Sequence, residues 1–568
     1  MTGYDRLCSA LLALGVNTVF GLPGSQNIAF FEALRKSKLH TIVPVHELAA
    51  AFMAIGFSRA SGKVGVITTI PGPGLTYAIT GLAEARLDSV PLLCFVQCAA
   101  TAPGKRFQLQ ALNQAALAAP VVKRVFVLDS ISGLEAVIEA AHACALDGEP
   151  GPVLVEINHA ALIAELAPMH SASERIDRIA MPAPPADLHN ALNRLKAARR
   201  PLMLVGQGGN AASTTIVELA ERLHCPVLTS TSGRGVLAED HPWSIPSDLC
   251  DAQDINALIA ESDLVLVLGI KFSHNGARGF KLKIPQELLI HVDTSDEVID
   301  ANYPAALGIC ADVPAFVAQL MQHLSDNVPL HSAWDVEEIT VWRKRIRVGY
   351  PPAIEPKVGG VDPSTPARFF EVVREVLPRD GILVTDSGWH QMLARRHFPV
   401  LGCRGLMVPT DLQSMGYGLP VAIGARLAAP TRPVVLVTGD GSLLMSGMAL
   451  LTAVRHQLNL PVIVFNDGHY GLIRIQQLQD YGHETDVACN GLDLQSFAIA
   501  VGARYTLADT DIRGALQAAL TAPGPTVIEV PIGASSATRR LQARGLARST
   551  ARNLLGQKIM GWLKRRRR

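Results

Sequence analysis

Short apolar runs of strand length alternate with segments of helix length over most of this chain, and that rhythm restricts the fold more than any other feature. Runs such as "DLVLVLG" (263–269), "PVVLVTG" (433–439) and "PVIVFN" (461–466) are continuously apolar, without the every-second-residue polarity of a half-exposed strand. Strands of this kind, separated by helices, belong to parallel sheets covered on both faces. The expected class is α/β, built from doubly wound parallel-sheet domains.

The 568 residues suffice for three or four domains, and the rhythm falls into three units and a tail. In the first, 1–165, "NTVFGLPG" reads as strand to turn, "TIVPVHE" as a strand, "ELAAAFMAIGFSRASG" as a helix closed by Gly62, and "KVGVITT" as the next strand. A central unit, 186–325, contains "RPLMLVGQGG" and "ELLIHVDTS". The third unit covers 362–536. Two Pro-containing stretches, "APMHSASERIDRIAMPAPPAD" and "VGYPPAIEPKVGGVDPSTP", read as linkers.

The third unit carries the most informative loops. "VVLVTGDGS" ends a strand at Asp440 between Gly439 and Gly441, and after a helix-length segment "PVIVFNDG" ends another at Asn466-Asp467-Gly468. A Gly-Asp-Gly by itself also makes a tight turn. Two such polar loops at the carboxyl ends of neighbouring strands instead suit the ligand crevice of an open α/β sheet. The glycines let backbone approach a phosphate, Ser442 follows in the same loop, and a carboxylate with an amide oxygen suits a hard, oxygen-liganded cation such as Mg²⁺.

This spacing resembles the signature of thiamine diphosphate (ThDP) enzymes, in which the Asp, the Asn and a carbonyl two residues beyond bind the metal; here these are Asp440, Asn466 and Gly468. The resemblance extends over about 530 residues. "VPVHELAAAFMAIGFSRASGKVGV" is similar to the pyrimidine-binding domain, with Glu47 at its glutamate, and "PGPGLTYAITGLAEARLDSVPLL" to the loop and helix that follow. "DSGWHQM" resembles a phosphate-side loop with His390, and "SMGYGLPVAIGARLA" the segment that holds the aminopyrimidine, with Met415 at the bulky residue that bends the cofactor. Three domains are implied: pyrimidine-binding, central and diphosphate-binding. The resemblance also implies a Glu47 carboxylate that controls the proton at pyrimidine N1′, and active sites shared between subunits of a homodimer or homotetramer. The implied reaction is ThDP- and Mg²⁺-dependent decarboxylation of a 2-oxo acid such as pyruvate.

The overall pattern is nearest the acetolactate synthase large-subunit group. Its Gln-Glu-x-Asp-Gln appears as "QALNQ", which keeps Gln110 as a polar substrate contact and neutralises both acids. "VGVITTIPGPGLTY" and "QCAATAPGKRFQLQALNQ" contain no histidine, unlike related simple decarboxylases. A pocket poor in proton donors favours transfer of the acyl carbanion to a carbonyl acceptor over protonation. Another ThDP-dependent decarboxylase or lyase, and a non-catalytic binding protein of the same fold, are the alternatives. Several positions depart from the group. Gln476 replaces a pocket Trp, Gln413 replaces a Gly two residues before Met415, and Asn158-His159 replaces Pro-Lys. "GIKFSHNGARGF" only loosely matches the segment that borders FAD in flavin-containing relatives, and "SIPSDLCDAQ" lacks an expected glycine-rich turn, so FAD stays open.

No run of eighteen apolar residues reads as a membrane span, residues 1–20 lack a basic leader, and nine scattered cysteines suggest reduced thiols in a cytoplasmic setting. The net charge of +1 hides an asymmetry. Residues 539–568 hold eleven Lys or Arg and no acid, leaving 40 basic against 50 acidic residues elsewhere. The tail 537–568 has arginines at four-residue spacing, then Leu555, Ile559, Trp562 and Leu563, which suits an amphipathic helix on an anionic membrane surface. It contains no nucleic-acid reading module, so nucleic acid is not the expected partner.

Overall fold

The computed structural model describes residues 1–99, 102, 105–163, 180–324, 332–348, 355–489, 491–533 and 545–546. Most of the first expected linker and all of the basic tail except 545–546 lie outside the described residues.

Three sheets follow one another along the chain. The first contains β1 (Thr18–Gly21), β2 (His40–Ile42), β3 (Gly65–Thr69), β4 (Leu92–Gln97), β5 (Val125–Leu128) and β6 (Pro152–Ile157), in the spatial order β2-β1-β3-β4-β6-β5 and parallel throughout. The second contains β7 (Pro201–Val205), β8 (Val227–Thr229), β9 (Leu264–Leu268), β10 (Leu289–Asp293) and β11 (Leu307–Cys310), ordered β11-β10-β9-β7-β8 and also parallel. The third contains β12 (Lys357–Val358), β13 (Ile382–Thr385), β14 (Leu406–Met407), β15 (Val434–Gly439), β16 (Leu460–Asn466), β17 (Arg504–Leu507) and β18 (Pro525–Gly533). Its order is β12-β18-β16-β15-β13-β14, with β17 also on β18.

Three local expectations are corrected. The stretch around Lys357 is not all linker: β12 adds an antiparallel edge to an otherwise parallel third sheet. The central unit does not end near 325, because the helix Val336–Val348 follows and Trp334, Ile339, Trp342 and Ile346 enter the core of the second sheet. Ile339, Trp342 and Ile346 share one face of a highly charged helix, which hid them. The helix after β15 begins at Asp440 itself (Asp440–Ser446) and resumes as Leu450–Arg455 after a 3₁₀ turn.

The first and third sheets share one core, centred on two helices. Glu47–Ser61 is capped by His46 Nδ1, which accepts from the Leu48 N–H, and ends at Gly62 with φ 75°. Its Ala-rich sequence is apolar all round because it is buried on nearly every side. It packs against Gly418–Ala428 so closely that a Cβ on Gly56 would lie 2.0 Å from Val421 O, and one on Gly424 1.9 Å from Met53 O. Glycine is required there for backbone approach. Gly424→Ala is therefore expected to destabilise the protein by about 1–3 kcal/mol in urea unfolding, the clash outweighing the roughly 1 kcal/mol by which alanine favours a helix. An unchanged midpoint would contradict this packing.

Buried polar groups lock the same two units together. Arg59 donates to Val408 O at 2.8 Å and Tyr417 Oη at 2.9 Å and pairs with Asp88 at 3.3 Å. Asp88 in turn accepts from the N–H groups of Thr410 and Asp411, each at 3.2 Å. Residues 408–417 are thus tied down from the first unit.

Candidate functional site

Along the third sheet the chain order reverses between β15 and β13, where an open α/β sheet leaves a crevice at its carboxyl edge. Asp440 stands at the end of β15 and is 7% exposed. Its Oδ1 accepts from the Gly441 N–H at 2.9 Å. Burial, with Asp467 nearby, pushes its carboxyl up to about 6. A bound cation would offset both effects and favour the carboxylate.

Asn466 ends the neighbouring strand. Its Nδ2 donates to Glu529 Oε1 at 2.8 Å, and Tyr505 Oη donates to the other oxygen at 2.7 Å. A carboxylate only accepts, so the amide orientation is determined and Asn466 Oδ1 faces the loop, where it accepts from the Gly468 N–H at 3.3 Å. Gly468 occupies the left-handed region at φ 68°. Asp440, the Asn466 amide oxygen and the Gly468 carbonyl are oxygen donors of the kind that could hold Mg²⁺.

The glycines flanking Asp440 lie against rings. A Cβ on Gly439 would meet His390 Nδ1 at 3.1 Å, and one on Gly441 the Tyr470 ring at 2.9 Å and Cys489 Sγ at 3.2 Å. His390, near the start of the helix Trp389–His397, is 6% exposed, and burial pushes its pKa down to about 3. Its Nε2 is buried without a hydrogen-bond partner. Ser442 Oγ is already committed, donating to Ser387 O at 3.0 Å. An orphaned ring nitrogen beside side-chain-free backbone fits a diphosphate, whose negative charge would favour a protonated, donating imidazole.

Met415 is presented by two carboxylates that the sequence reading missed. Glu84 Oε2 accepts from the Ser414 N–H at 3.0 Å, while Asp386 accepts from Gly416 N–H at 3.0 Å and Gly418 N–H at 2.6 Å. Asp386, in "DSGWH", and Glu84, in "GLAEA", sit inside quoted motifs, but nothing local signals that they hold a distant segment. Gln413 explains its own departure from glycine. It sits at φ 64°, and its side-chain amide folds back to donate to Pro409 O at 2.9 Å and Thr410 O at 2.6 Å.

On the first unit, half-buried Glu47 lies in the first turn of its helix, 3.5 Å from where a Cβ on Gly74 would be. Gln110, at φ 56°, packs against Gly72 and accepts from Gln26 Nε2 at 2.6 Å. Gln114 fixes the same loop, accepting from Gly72 N–H at 3.3 Å and donating to Gln97 O at 3.1 Å. Gln26 and Gln114 were not singled out from sequence. Among the described residues no hydrogen bond joins Glu47 or Gln110 to the Asp440 group. Apolar side chains lie exposed beside both: Phe107 and Leu109 near Gln110, and Met445 and Met448 after Asp440. The other departures face outward or locally: Gln476 is exposed, Asn158 caps a short helix, and His159 Nδ1 lies 2.9 Å from Tyr4 Oη.

A cavity of about 430 Å³ opens at the carboxyl edge of the second sheet. Asp88, Glu149, Asp293, Asp312 and Asp411 line it against Arg59, Lys271 and Arg404. Lys271 spans it, lying 3.3 Å from both Glu149 and Ser89 Oγ. Burial pushes Asp293 up to about 6. This surplus of acids does not suit the diphosphate of a flavin dinucleotide.

Models of thiamine pyrophosphate enzymes match the chain in three places: the N-terminal TPP binding domain over 1–117, the central domain over 188–320, and the C-terminal TPP binding domain over 386–530. The acetolactate synthase isozyme 1 large subunit of Escherichia coli is 30% identical over 541 residues, covering 94% of each chain. The acetolactate synthase large subunit of Parasynechococcus marenigrum is also 30% identical, over 94% of this chain and 88% of its own. A probable 2-ketoarginine decarboxylase of Pseudomonas aeruginosa is 32% identical over 84% of both.

Proposed function

The chain belongs to the thiamine pyrophosphate enzyme family and is a ThDP-dependent enzyme, and we propose that it acts as an acetolactate synthase-like carboligase on a 2-oxo acid such as pyruvate. When bound, ThDP supplies the carbanion chemistry of decarboxylation and acyl transfer. Asp440, Asn466 and the Gly468 carbonyl hold Mg²⁺, and His390 with the Gly439–Gly441 backbone receives the diphosphate. Glu47 would hold the proton at pyrimidine N1′ of the bound cofactor, and Met415, set by Glu84 and Asp386, would pack against it. Gln110, steadied by Gln26, is a substrate contact.

The observation that carries carboligation over simple decarboxylation is that the stretches 64–77 and 97–114 contain no histidine donor. Exposed His46 is engaged with the Leu48 N–H and the Tyr77 ring. Incubation with pyruvate, ThDP and Mg²⁺, followed by separate assays of acetaldehyde and of acetoin-forming product, is expected to give mainly the latter. Predominant acetaldehyde would favour the decarboxylase reading, which the 2-ketoarginine relative keeps in play. FAD is not part of the proposal.

We infer that the Glu47 group and the Asp440 group are half-sites of a homodimer, or a tetramer of dimers, in which Glu47 of one subunit serves Asp440 of another. The exposed apolar residues beside each half-site suit such an interface. Mixing Glu47→Gln and Asp440→Ala subunits is expected to regenerate up to a quarter of the wild-type sites by random pairing. With subunit exchange verified, no recovered activity would refute it. The basic tail remains assigned to an anionic lipid surface on composition alone; among the described residues no helix is long and apolar enough to cross a membrane.

A further inference from the structure

The segments "SIPSDLCDAQ" and "GIKFSHNGARGF", with Lys281 and Arg395, line a second pocket of about 350 Å³. That volume lies in the range of small-molecule sites. Its polar lining is Cys250, Asp251, His274, Arg278, Lys281 and Arg395, with Asn275 between this pocket and the larger cavity.

The electrostatics of its wall are unbalanced. Three guanidinium groups, Arg234, Arg278 and Arg395, share two carboxylates. Arg234 is satisfied by Glu239 at 2.6 and 2.9 Å, with Asp248 3.5 Å away. Arg395, 4% exposed, donates to Asp248 at 3.1 and 2.8 Å. Arg278 has the weakest pairing: Nη2 donates to Ser247 O at 2.6 Å, but Asp248 lies 3.6 Å from Nη1. Its Nε is buried with no hydrogen-bond partner. Burial alone would raise the Asp248 carboxyl, yet the guanidinium groups hold it well below the usual carboxylate range, so it stays ionised. At the rim, exposed Lys281 and Asp251 cancel, with His274 beside them. The cluster therefore keeps one positive charge in excess beside a cavity. A buried charge with an unfilled donor is costly unless something pairs with it.

We infer that this pocket binds a small organic oxyanion, a carboxylate or a phosphate ester, with Arg278 as its main contact and Lys281 at its mouth. Such a ligand completes the Arg278 hydrogen bonds and neutralises the excess charge, and charge-assisted bonds of this kind are the stronger ones. The inference does not depend on which product the enzyme makes.

The test uses full-length holoenzyme saturated with ThDP and Mg²⁺, so that the diphosphate cradle is filled. Equilibrium dialysis with labelled malonate and labelled glycerol 2-phosphate reports the two chemistries separately. One probe is expected to bind saturably at one site per chain, and the tighter of the two names the source. Its Kd should rise about tenfold or more in Arg278→Gln and severalfold in Lys281→Ala. Lys281 lies outside the buried cluster, so its variant keeps the test valid if Arg278→Gln fails to fold. Absence of saturable binding by both probes overturns the inference, as does an affinity unchanged in Lys281→Ala and in any folded Arg278→Gln protein.

Discussion

Glu47→Gln is expected to lower kcat by about 10²–10⁴-fold while the fold and ThDP affinity are retained, the range by which a positioned proton-transfer group contributes. The substitution is isosteric, and among the described residues no partner hydrogen-bonds the Glu47 side chain. Its removal therefore strands no buried partner. Glu47 stands in the first turn of a helix packed on nearly every other side, so its position is fixed by Ala50–Ile55 and not by its own carboxylate. What the amide cannot do is exchange a proton with pyrimidine N1′. Steady-state kinetics with a ThDP titration separates the effects: kcat falls and the ThDP dependence stays near wild type. An unchanged kcat would remove Glu47 from the proton role, and loss of ThDP binding with intact kcat at saturation would make it a binding residue only.

The legibility of these residues followed the range of the interactions that place them. The strands β9, β15 and β16 were readable because continuous apolar runs have one stable outcome, burial on both faces. The Asp440 and Asn466 loops were readable because short, side-chain-poor backbone at a strand end has few uses. The helix Val336–Val348 was missed because its charged residues outnumber the three apolar ones, Ile339, Trp342 and Ile346, that anchor it. Asp386 and Glu84 were missed for a different reason. Their targets, the N–H groups of residues 414–418, lie 30 and 330 positions away in sequence. Gln413 was legible as a departure but not as a solution, since only the fold shows its amide bonding carbonyls three and four residues back. The excess charge around Arg278 was likewise invisible, because Arg234, Asp248, Arg278 and Arg395 come from four separate segments.

Asp440→Ala is expected to abolish turnover and weaken Mg²⁺-dependent ThDP binding by about 100-fold or more, since even residues behind metal ligands contribute 10–100-fold. Its effect on the apo-protein runs the other way. Burial raises the Asp440 carboxyl to about 6 from an ordinary value of 3.8, so the folded apo state binds a proton more tightly than the unfolded chain. The resulting stabilisation is fully present below about pH 4 and is lost as pH rises through about 6. A carboxyl raised this far contributes about 3 kcal/mol at its acid limit. Apo wild type should therefore lose stability between pH 4 and 7, from this group, relative to Asp440→Ala, which lacks the titration. Mg²⁺ with ThDP reverses the preference by binding the carboxylate, so holoenzyme formation should weaken as pH falls below about 6 in wild type. Thermal unfolding of both proteins across that range, with and without ThDP and Mg²⁺, reads all three effects together. Wild-type affinity for ThDP and Mg²⁺ in Asp440→Ala would show that the metal is held elsewhere.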